Sequence, residues 1–536
     1  MSTVFDEFER THQQAADRPF LHIPAIAAKA YSSQAIDLSY GEAYSKVSSC
    51  RDLYSAHGIR RGQRVALLLE NRAEFFIHWL ALNGVGASVV PINGEMPAEE
   101  IRYFLEHSES VAVVSIPEKV ELLEQSVAGI SKPPSIVSVE NMERLPDFGA
   151  QSEGGKPDAS TECALLYTSG STGKPKACIL SNEYFTAFGD WYRDLDGLGR
   201  IEWGKERLLT PLPLGHMNAM AVSSTAMIMN AGCIVQLDRF HPSSWWQTVR
   251  NSKATMLHYL GVLPAILLQL PDDEADDFSD QIKFGFGAGV NPKHHAPFEQ
   301  RFGFPLIESW AMTECGAGGC ITANKEPRHV GTSCFGKPDA SVEYQLIDEQ
   351  GHVVAPGEQG ELRVRAAGPN PRRAFFSGYF KNPEATEEVW QDGWLNTGDV
   401  ARQSEDGSLH FVDRRKNVIR RSGENIAALE VEAALSLNPA IAEALVSAVP
   451  DEMRGDEVAA CVIPVEGQAG GEALANTIVR DCLERLAYFK VPGYVMFVDE
   501  LPKTASNKPK RADVKKLARE GVAAGQAFDT RALKKR

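Results

Sequence analysis

The sequence predicts an α/β fold: a large N-terminal domain of parallel-rich sheets and helices, a β-rich subdomain, and a small α+β C-terminal domain. Short apolar runs alternate with helical patterns in the first part of the chain, as is typical of parallel sheets. From about Val342, shorter strand patterns separated by turn signals indicate a more antiparallel region. A new helix–strand pattern begins beyond about Arg415, so we divide the chain into residues 1–415 and 416–536.

The first predicted elements follow one another closely. Val65–Leu69 is a continuous apolar run that predicts a buried strand, and Arg72–Asn83 has its aromatic residues at helical spacing. A second strand begins at Val89, and Pro97–His107 predicts a helix with proline in its first turn. Val111–Ser115 is again a strand. This order predicts parallel neighbours joined by helices.

Composition excludes several classes of partner. Acidic residues outnumber basic ones by 71 to 55, and the resulting net charge of -16 repels nucleic acid and anionic lipid. The start, Met1–Gln14, is not a signal peptide, and the least polar stretch, Met220–Val235, is too short and polar to span a membrane. Nine scattered cysteines without a CxxC pair predict reduced thiols in a cytoplasmic protein. The sequence leaves open whether the chain forms a homodimer.

The most informative stretch is Cys163–Lys176, which reads CALLYTSGSTGKPK. An apolar strand ends in a loop whose glycines permit close backbone approach, while its hydroxyls and lysine suit a polyphosphate. It is not a Walker A loop, because two residues rather than four separate Gly170 from the Gly173-Lys174 pair. A polar surface turn is the alternative reading. The candidate nucleotide-binding residues are Thr168, Ser169, Gly170, Ser171, Thr172, Gly173 and Lys176.

The string YTSGSTGKPK resembles the phosphate-binding signature of the adenylate-forming, AMP-binding superfamily. Further motifs of that superfamily follow in order to about residue 510, so the resemblance covers essentially the whole chain. It implies an acid–thiol ligase, an AMP-forming acyl-CoA synthetase. Such an enzyme uses ATP and Mg²⁺ to activate a carboxylic acid as acyl-AMP, releases pyrophosphate, and transfers the acyl group to coenzyme A. The resemblance also places Thr172 among the catalytic residues.

Trp310–Glu314, read as WAMTE, resembles the superfamily's aromatic–Gly–Met–Thr–Glu string. The resemblance implies that Thr313 contacts the α-phosphate and that Glu314 is catalytic and binds Mg²⁺, as suits a carboxylate beside phosphate oxygens. Trp310 replaces the usual Tyr and Ala311 the usual Gly, and this bulk narrows the expected acyl channel. With the glycine-rich turn upstream, the implied adenine-side residues are Gly287, Ala288, Gly289, Ser309, Trp310, Ala311, Met312 and Thr313.

The segment PLPLGHMN resembles the superfamily motif in which an aromatic or histidine side chain lines the carboxylate pocket. His216 occupies that place and is assigned a catalytic role, although a lone histidine is more often structural. Gly215 replaces a bulky residue that often precedes it. A mixed aromatic and apolar set of pocket residues suits a medium-sized or aromatic acid: His216, Met217, Tyr259, Gly261, Phe286 and Trp310.

Two further motifs complete the implied nucleotide site. Asp399, in GWLNTGD, is expected to bind both ribose hydroxyls, and Arg414 the ribose and phosphates, with Phe411 beside them. Lys416 matches the hinge between the two domains, and residues 422–424 match a loop that approaches the site during thioester formation. Without the resemblance, this basic cluster would be read as a solvated face.

Lys508, in LPKTASNKPK, matches the superfamily's invariant catalytic lysine, with Asn507 in place of the usual glycine. Asn tolerates a left-handed backbone better than most residues. The resemblance implies that the small C-terminal domain is mobile and rotates about Lys416. This rotation removes Lys508 between adenylation and thioester formation.

Three other functions stay open: a stand-alone enzyme that loads a carrier protein, a luciferase-like oxygenase, and a non-catalytic nucleotide-binding regulator. Within the acyl-CoA ligases, the stretch Tyr259–Glu314 most resembles the branch of crotonobetaine/carnitine-CoA ligases.

Overall fold

The computed structural model describes residues 2–149, 155–168, 175–421, 424–451, 454–486, 488–503 and 508–534. Several predicted residues lie outside these ranges. They are Ser169, Gly170, Ser171, Thr172 and Gly173 of the glycine-rich loop, Ser422 and Gly423, and Asn507. The side chains of Lys416 and Glu424 also lie outside the described part of the chain.

The helices, in chain order, are α1 (Val4–Ala15), α2 (Ala25–Ala28), α3 (Tyr40–Ala56), α4 (Ala73–Val85), α5 (Ala98–Ser108), α6 (Val120–Val127), α7 (Asn182–Asp194), α8 (Thr225–Met229), α9 (Trp245–Ser252), α10 (Val262–Leu267), α11 (Pro292–Phe302), α12 (Pro383–Val389), α13 (Ala428–Leu435), α14 (Glu472–Leu483) and α15 (Arg511–Ala523).

The strands are β1 (Pro19–Ile23), β2 (Ile36–Ser39), β3 (Arg64–Leu68), β4 (Ser88–Pro91), β5 (Ala112–Ser115), β6 (Ser135–Ser138), β7 (Glu162–Thr168), β8 (Lys176–Ser181), β9 (Arg207–Thr210), β10 (Cys233–Gln236), β11 (Met256–Leu260), β12 (Phe284–Ala288), β13 (Leu306–Trp310), β14 (Ile321–Thr322), β15 (Cys334–Gly336), β16 (Val342–Ile347), β17 (Gln359–Ala366), β18 (Gly378–Tyr379), β19 (Trp390–Gln391), β20 (Trp394–Gln403), β21 (Leu409–Arg414), β22 (Val418–Arg421), β23 (Glu424–Ala427), β24 (Ile441–Asp451), β25 (Gly455–Pro464), β26 (Tyr494–Phe497) and β27 (Phe528–Asp529).

The chain forms two compact units. The first comprises Met1–Tyr344 and Val364–Asn396, and the second comprises Gln345–Arg363 and Thr397–Arg536. The boundary crosses β16, β17 and β20. Within the described ranges, every helix is too short or too polar to cross a membrane.

The predicted motifs of the first unit lie on two of its sheets. One has the strand order β18-β8-β7-β4-β3-β5-β6, and the other has the order β14-β13-β12-β11-β9-β10-β1-β2. In the second sheet, β11, β12 and β13 are parallel neighbours. Their carboxyl ends therefore lie at one edge, where α/β sheets usually bind ligands. These ends carry Tyr259, Ala288 and Trp310, which are all predicted site residues.

Local sequence accounts for the first strand–helix units. β3 pairs in parallel with both β4 and β5, as the alternation predicted, and the observed ends lie within a residue or two of the predicted ones. Helix α4 ends at Gly86, whose φ of 79° is left-handed and favours glycine. Apolar residues of β3, β4 and β5 pack with Phe104 and Leu123 in one buried core. This burial stabilises the sheet that carries the glycine-rich loop.

The second unit is a smaller α+β structure. Its sheet has the order β23-β22-β25-β26-β27, and β24 pairs with β25. Helices α13 and α14 cover this sheet through a buried apolar cluster that includes Val431, Ile478 and Val458. In the β-rich region, β20 and β21 are antiparallel. The predicted fold class is thus confirmed.

Candidate active site

The first cluster of predicted site residues lies where β7 and β13 end. Thr168 is the last residue of β7, and Glu314 follows β13 closely. The Glu314 side chain is buried, and its Oε1 atom lies 3.5 Å from Thr168 Oγ1. The structure therefore brings a residue of the predicted phosphate-binding segment beside the predicted magnesium ligand.

Tyr379, which sequence reasoning missed, belongs to the same cluster. Its hydroxyl donates a 2.8 Å hydrogen bond to Glu314 Oε1, and Lys176 Nζ lies 4.8 Å from the centroid of its ring. Burial and the negative charge of Glu314 raise the pKa of Tyr379 well above its usual value. The hydroxyl therefore stays protonated and acts as a donor.

The Glu314 carboxylate fits a magnesium ligand. Its Oε1 accepts two hydrogen bonds, from Tyr379 and Thr168, and Oε2 takes part in no hydrogen bond among the residues that the structure describes. Mg²⁺ is usually bound in proteins by one or two carboxylates together with substrate phosphates and water. The buried Glu314 carboxylate, beside the predicted phosphate-binding residue Thr168, matches that pattern.

Strand β12 is pressed against β11 at the predicted adenine side. A Cβ on Gly287 would lie 2.4 Å from Tyr259 O, and one on Gly261 would lie 1.7 Å from Gly289 O. These positions therefore need glycine. The Tyr259 hydroxyl donates to Glu308 Oε1 at 2.7 Å, and the Gly289 N–H donates to Glu308 Oε2 at 2.8 Å. Glu308, which the sequence reasoning missed, thus ties the two strand ends together.

Trp310 is the last residue of β13 and lies at the same edge of the sheet as the ends of β11 and β12. It is buried, and its ring centroid lies 6.0 Å from that of Phe335. The preceding Ser309 turns away to β14, where its hydroxyl donates to Ile321 O at 3.1 Å. The three residues that follow are half-buried: Ala311, Met312 and Thr313.

Phe286, predicted to line the acyl pocket, lies in an aromatic cluster. Its ring centroid is 5.8 Å from Trp191, 5.4 Å from Tyr192 and 5.1 Å from His258. Sequence reasoning missed these three neighbours. Two come from α7 and one from β11, so the cluster joins the helix after the glycine-rich loop to the parallel sheet.

His258 carries no charge at neutral pH. Burial lowers its pKa to about 3. Its Nε2 lies 3.0 Å from the Tyr192 hydroxyl, and its Nδ1 lies 2.7 Å from Ser223 Oγ. Both ring nitrogens are therefore hydrogen-bonded inside the unit.

The predicted carboxylate-pocket motif leads into a π-helix over Asn218–Ser224. Such turns are rare and occur often at functional sites. His216 is exposed at its entrance and accepts a 3.0 Å bond from the Met220 N–H through its backbone oxygen, while Met217 is half-buried. Ser223 joins this turn to His258 of β11.

In the second unit, the structure brings together two predicted ribose-binding residues. Asp399 and Arg414 face each other on β20 and β21, and Arg414 Nε lies 2.9 Å from Asp399 Oδ1. Phe411 pairs with Ala401 in the same ladder. Partial desolvation and the positive charge of Arg414 lower the pKa of Lys508.

The backbone of the predicted hinge residue Lys416 lies in a short 3₁₀ turn, Arg415–Asn417. The buried Asp413 carboxylate joins the end of this turn to the first turn of α13. It accepts hydrogen bonds from the Asn417 side-chain amide at 3.2 Å and from the Leu429 N–H at 3.1 Å. Lys416 thus follows a firmly anchored strand end.

Comparison with known families gives two matches. Residues 8–380 match the model of the AMP-binding enzyme family, and residues 430–508 match the model of the AMP-binding enzyme C-terminal domain. The first match covers well over half of the chain and therefore shows the family.

Relatives share most of the chain's length. The chain is 29% identical over 483 residues to sulfoacetate–CoA ligase of Cupriavidus necator, covering 88% of this chain and 91% of that protein. It is 28% identical over 487 residues to crotonobetaine/carnitine–CoA ligase of Citrobacter koseri, with the same coverages. The predicted likeness to that second branch is confirmed.

Solved structures of o-succinylbenzoate CoA synthetase from Bacillus subtilis are also similar. The complex with an acyl-adenylate intermediate has a TM-score of 0.79 at 26% identity and covers 96% of this chain and 98% of that one. The complex with ATP and a magnesium ion has a TM-score of 0.78 at 26% identity, with coverages of 94% and 98%. The chain belongs to the AMP-binding enzyme family and is an acyl-CoA ligase of the adenylate-forming superfamily, which activates carboxylic acids through acyl-AMP.

Proposed function

We propose that this chain uses ATP and Mg²⁺ to convert a medium-sized or aromatic carboxylic acid into its acyl-adenylate, and that coenzyme A is the acceptor. The observation that carries this proposal is the buried Glu314 carboxylate beside Thr168, the last residue of β7. Related structures hold ATP with magnesium and an acyl-adenylate, which supports the same chemistry here.

In the first half-reaction, the substrate carboxylate attacks the α-phosphorus of ATP and pyrophosphate leaves. Negative charge then grows on the phosphoryl oxygens and on the leaving group. Lys176 and Lys508 would stabilise this charge, together with the hydroxyls of Thr168 and Thr172. Magnesium, bound by Glu314 and the phosphates, would neutralise part of it. Catalysis is thus electrostatic and positional, without a protein nucleophile.

The second unit would supply the ribose contacts through Asp399, Arg414 and Phe411. We propose a functional boundary between residues 1–415 and 416–536, with Lys416 as the hinge. Rotation about this hinge would remove Lys508 after adenylation. The coenzyme A thiolate would then attack the acyl carbonyl, and AMP would leave with the electron pair of the broken C–O bond.

The residues around Phe286 support the proposed class of acid. Trp191, Tyr192 and Phe286 form an aromatic cluster in which Trp191 is half-buried, and the adjacent His258 is neutral. Such surroundings stabilise an apolar acyl body by burial. His216, Met217, Tyr259, Gly261 and Trp310 are the other proposed pocket residues.

Pyrophosphate exchange tests the proposal. The full chain is incubated with ATP, labelled pyrophosphate and a panel of acids that includes aromatic acids, sulfoacetate and crotonobetaine. We expect label in ATP with at least one aromatic or medium-sized acid, and thioester when coenzyme A is added. Exchange without thioester would favour a carrier protein as acceptor. Light emission or oxygen uptake would favour an oxygenase. Absence of exchange with every acid would favour a nucleotide-binding regulator.

We also propose a cytoplasmic location. All nine cysteines are free thiols, and eight are buried, including Cys163 and Cys178 beside the nucleotide-binding segment. A reducing compartment maintains such thiols.

A further inference from the structure

Tyr379 contacts Glu314 more closely than any residue that the sequence motifs identified. Its hydroxyl lies 2.8 Å from Glu314 Oε1, and the contact is buried on both sides. A hydrogen bond from a neutral donor to a carboxylate is stronger than one between neutral groups. It is also directional, so it fixes the plane of the carboxylate.

The backbone around Tyr379 fixes the position of this hydroxyl. The two-residue strand β18 adds to the edge of β8, with Tyr379 opposite Cys178. The Phe380 N–H donates to Ala177 O at 2.8 Å, and the Tyr379 N–H donates to Thr386 Oγ1 at 2.8 Å. Tyr379 is therefore in register with the strand that leaves the glycine-rich loop.

The same segment also fixes the backbone of Glu314. The Phe376 N–H donates to Glu314 O at 3.1 Å, and the ring of Phe376 packs edge-on against that of Tyr379 at 4.9 Å. Main chain and side chain of Glu314 are thus both bound by residues 376–379. Lys176 also contacts Tyr379, since its Nζ lies over the Tyr379 ring.

We propose that Tyr379 is the positioning residue for the magnesium ligand: its hydroxyl holds Glu314 through Oε1, so that Oε2 would remain available to bind the metal, while its ring supports Lys176. This inference rests on the proposed function, in which Glu314 binds the Mg²⁺ of Mg·ATP. Groups that orient a ligating carboxylate commonly change metal affinity by about 10–100-fold when they are removed.

The test measures metal binding without turnover. The full chain is saturated with α,β-methylene ATP, which cannot be cleaved at the reacting bond, and Mn²⁺ is titrated with detection by electron paramagnetic resonance. Tyr379→Phe removes the hydroxyl but retains the ring. We expect it to weaken Mn²⁺ binding at least about tenfold and to leave nucleotide affinity in EDTA unchanged.

Tyr184→Phe is the matched control. Tyr184 is fully buried and packs against the turn after Glu314, but its hydroxyl has no hydrogen-bond partner among the described residues. We expect its Mn²⁺ affinity to equal that of the wild type. If the two variants behave alike, the positioning role of Tyr379 is wrong.

Two further measurements separate the possible failures. Glu314→Gln should lose the tight Mn²⁺ site, and if it does not, the magnesium assignment in the proposed function is wrong as well. For a destabilised variant, the rise in melting temperature caused by Mg²⁺ in the presence of the analogue is compared with the metal-free value of the same variant. If Mg²⁺ raises the melting temperature of Tyr379→Phe as much as that of the wild type, the positioning role is wrong.

Discussion

Asp399 and Arg414 form a cross-strand ion pair in which Arg414 Nε lies 2.9 Å from a carboxylate that is almost fully buried. Because the arginine side chain is half exposed, the pair contributes only about 1 kcal/mol or less to stability. In the proposed function, its larger role is to orient both groups toward the nucleotide.

Arg414→Gln should therefore raise the KM for ATP about tenfold, because a charged hydrogen bond to the nucleotide is lost. The free energy of unfolding should change little. Arg415→Gln is the control, since the neighbouring Arg415 pairs with Glu361 at a similar exposure. Equal KM values for the two variants would contradict the assigned role of Arg414. Steady-state kinetics and denaturant unfolding supply the measurements.

Lys508→Ala should slow adenylation by about 10²–10³, because one cation is lost from the growing phosphoryl charge. Thioester formation from presynthesised acyl-adenylate should be largely spared, since the proposed role of Lys508 is confined to the first half-reaction. The two half-reactions are measured separately, with Lys510→Ala as the control. Equal loss in both would count against the domain switch.

Lys416→Pro should separate the half-reactions in the opposite way. Proline fixes φ near −65° and restricts the preceding residue, so rotation at this position is suppressed. Pyrophosphate exchange should continue while thioester formation from acyl-adenylate falls strongly. Lys416→Ala should retain both activities. A proline variant that makes thioester at the normal rate would show that the hinge lies elsewhere.

His258 predicts a pH dependence of stability. Its pKa is about 3 in the folded protein and about 6.5 when exposed, so the unfolded chain binds more protons between these values. Stability should therefore fall as the pH drops below 6.5, by on the order of 1.4 kcal/mol per pH unit. His78, whose pKa burial lowers to about 4, should contribute similarly.

His258→Gln should roughly halve the histidine contribution to this slope between pH 6 and pH 4. Glutamine does not titrate, but it can still bond Ser223 or Tyr192. Thermal unfolding at several pH values measures the slope, and His78→Gln should reduce it by a similar amount. An unchanged slope in His258→Gln would mean that this histidine titrates alike in the folded and unfolded states.

The sequence predicted the first parallel strands well, because the apolar run of a buried strand is visible in the local sequence pattern. The likeness of the strings YTSGSTGKPK and WAMTE to two superfamily motifs also identified Thr168 and Glu314, whose side-chain oxygens lie 3.5 Å apart in the fold. Both predictions succeeded because the signal, an apolar run or a motif string, lies within one short stretch of sequence.

The missed residues act through partners distant in sequence. Tyr379 lies in a two-residue strand whose pairing with β8 no local pattern reveals. His258 and Glu308 are polar residues within buried strands, a signal that sequence reasoning could have used. The π-helix at Asn218–Ser224 departs from the helical period, so periodicity could not predict it.

Isotopic labelling of the acid's oxygen atoms tests directly whether this chain forms an acyl-adenylate. If the carboxylate attacks the α-phosphorus of ATP, an acid labelled with ¹⁸O in both carboxyl oxygens must leave one label in AMP and one in the thioester. We predict singly labelled AMP, detected by mass spectrometry after turnover with coenzyme A. Label in inorganic phosphate, with unlabelled AMP or with ADP as product, would show that the carboxylate does not attack the α-phosphorus.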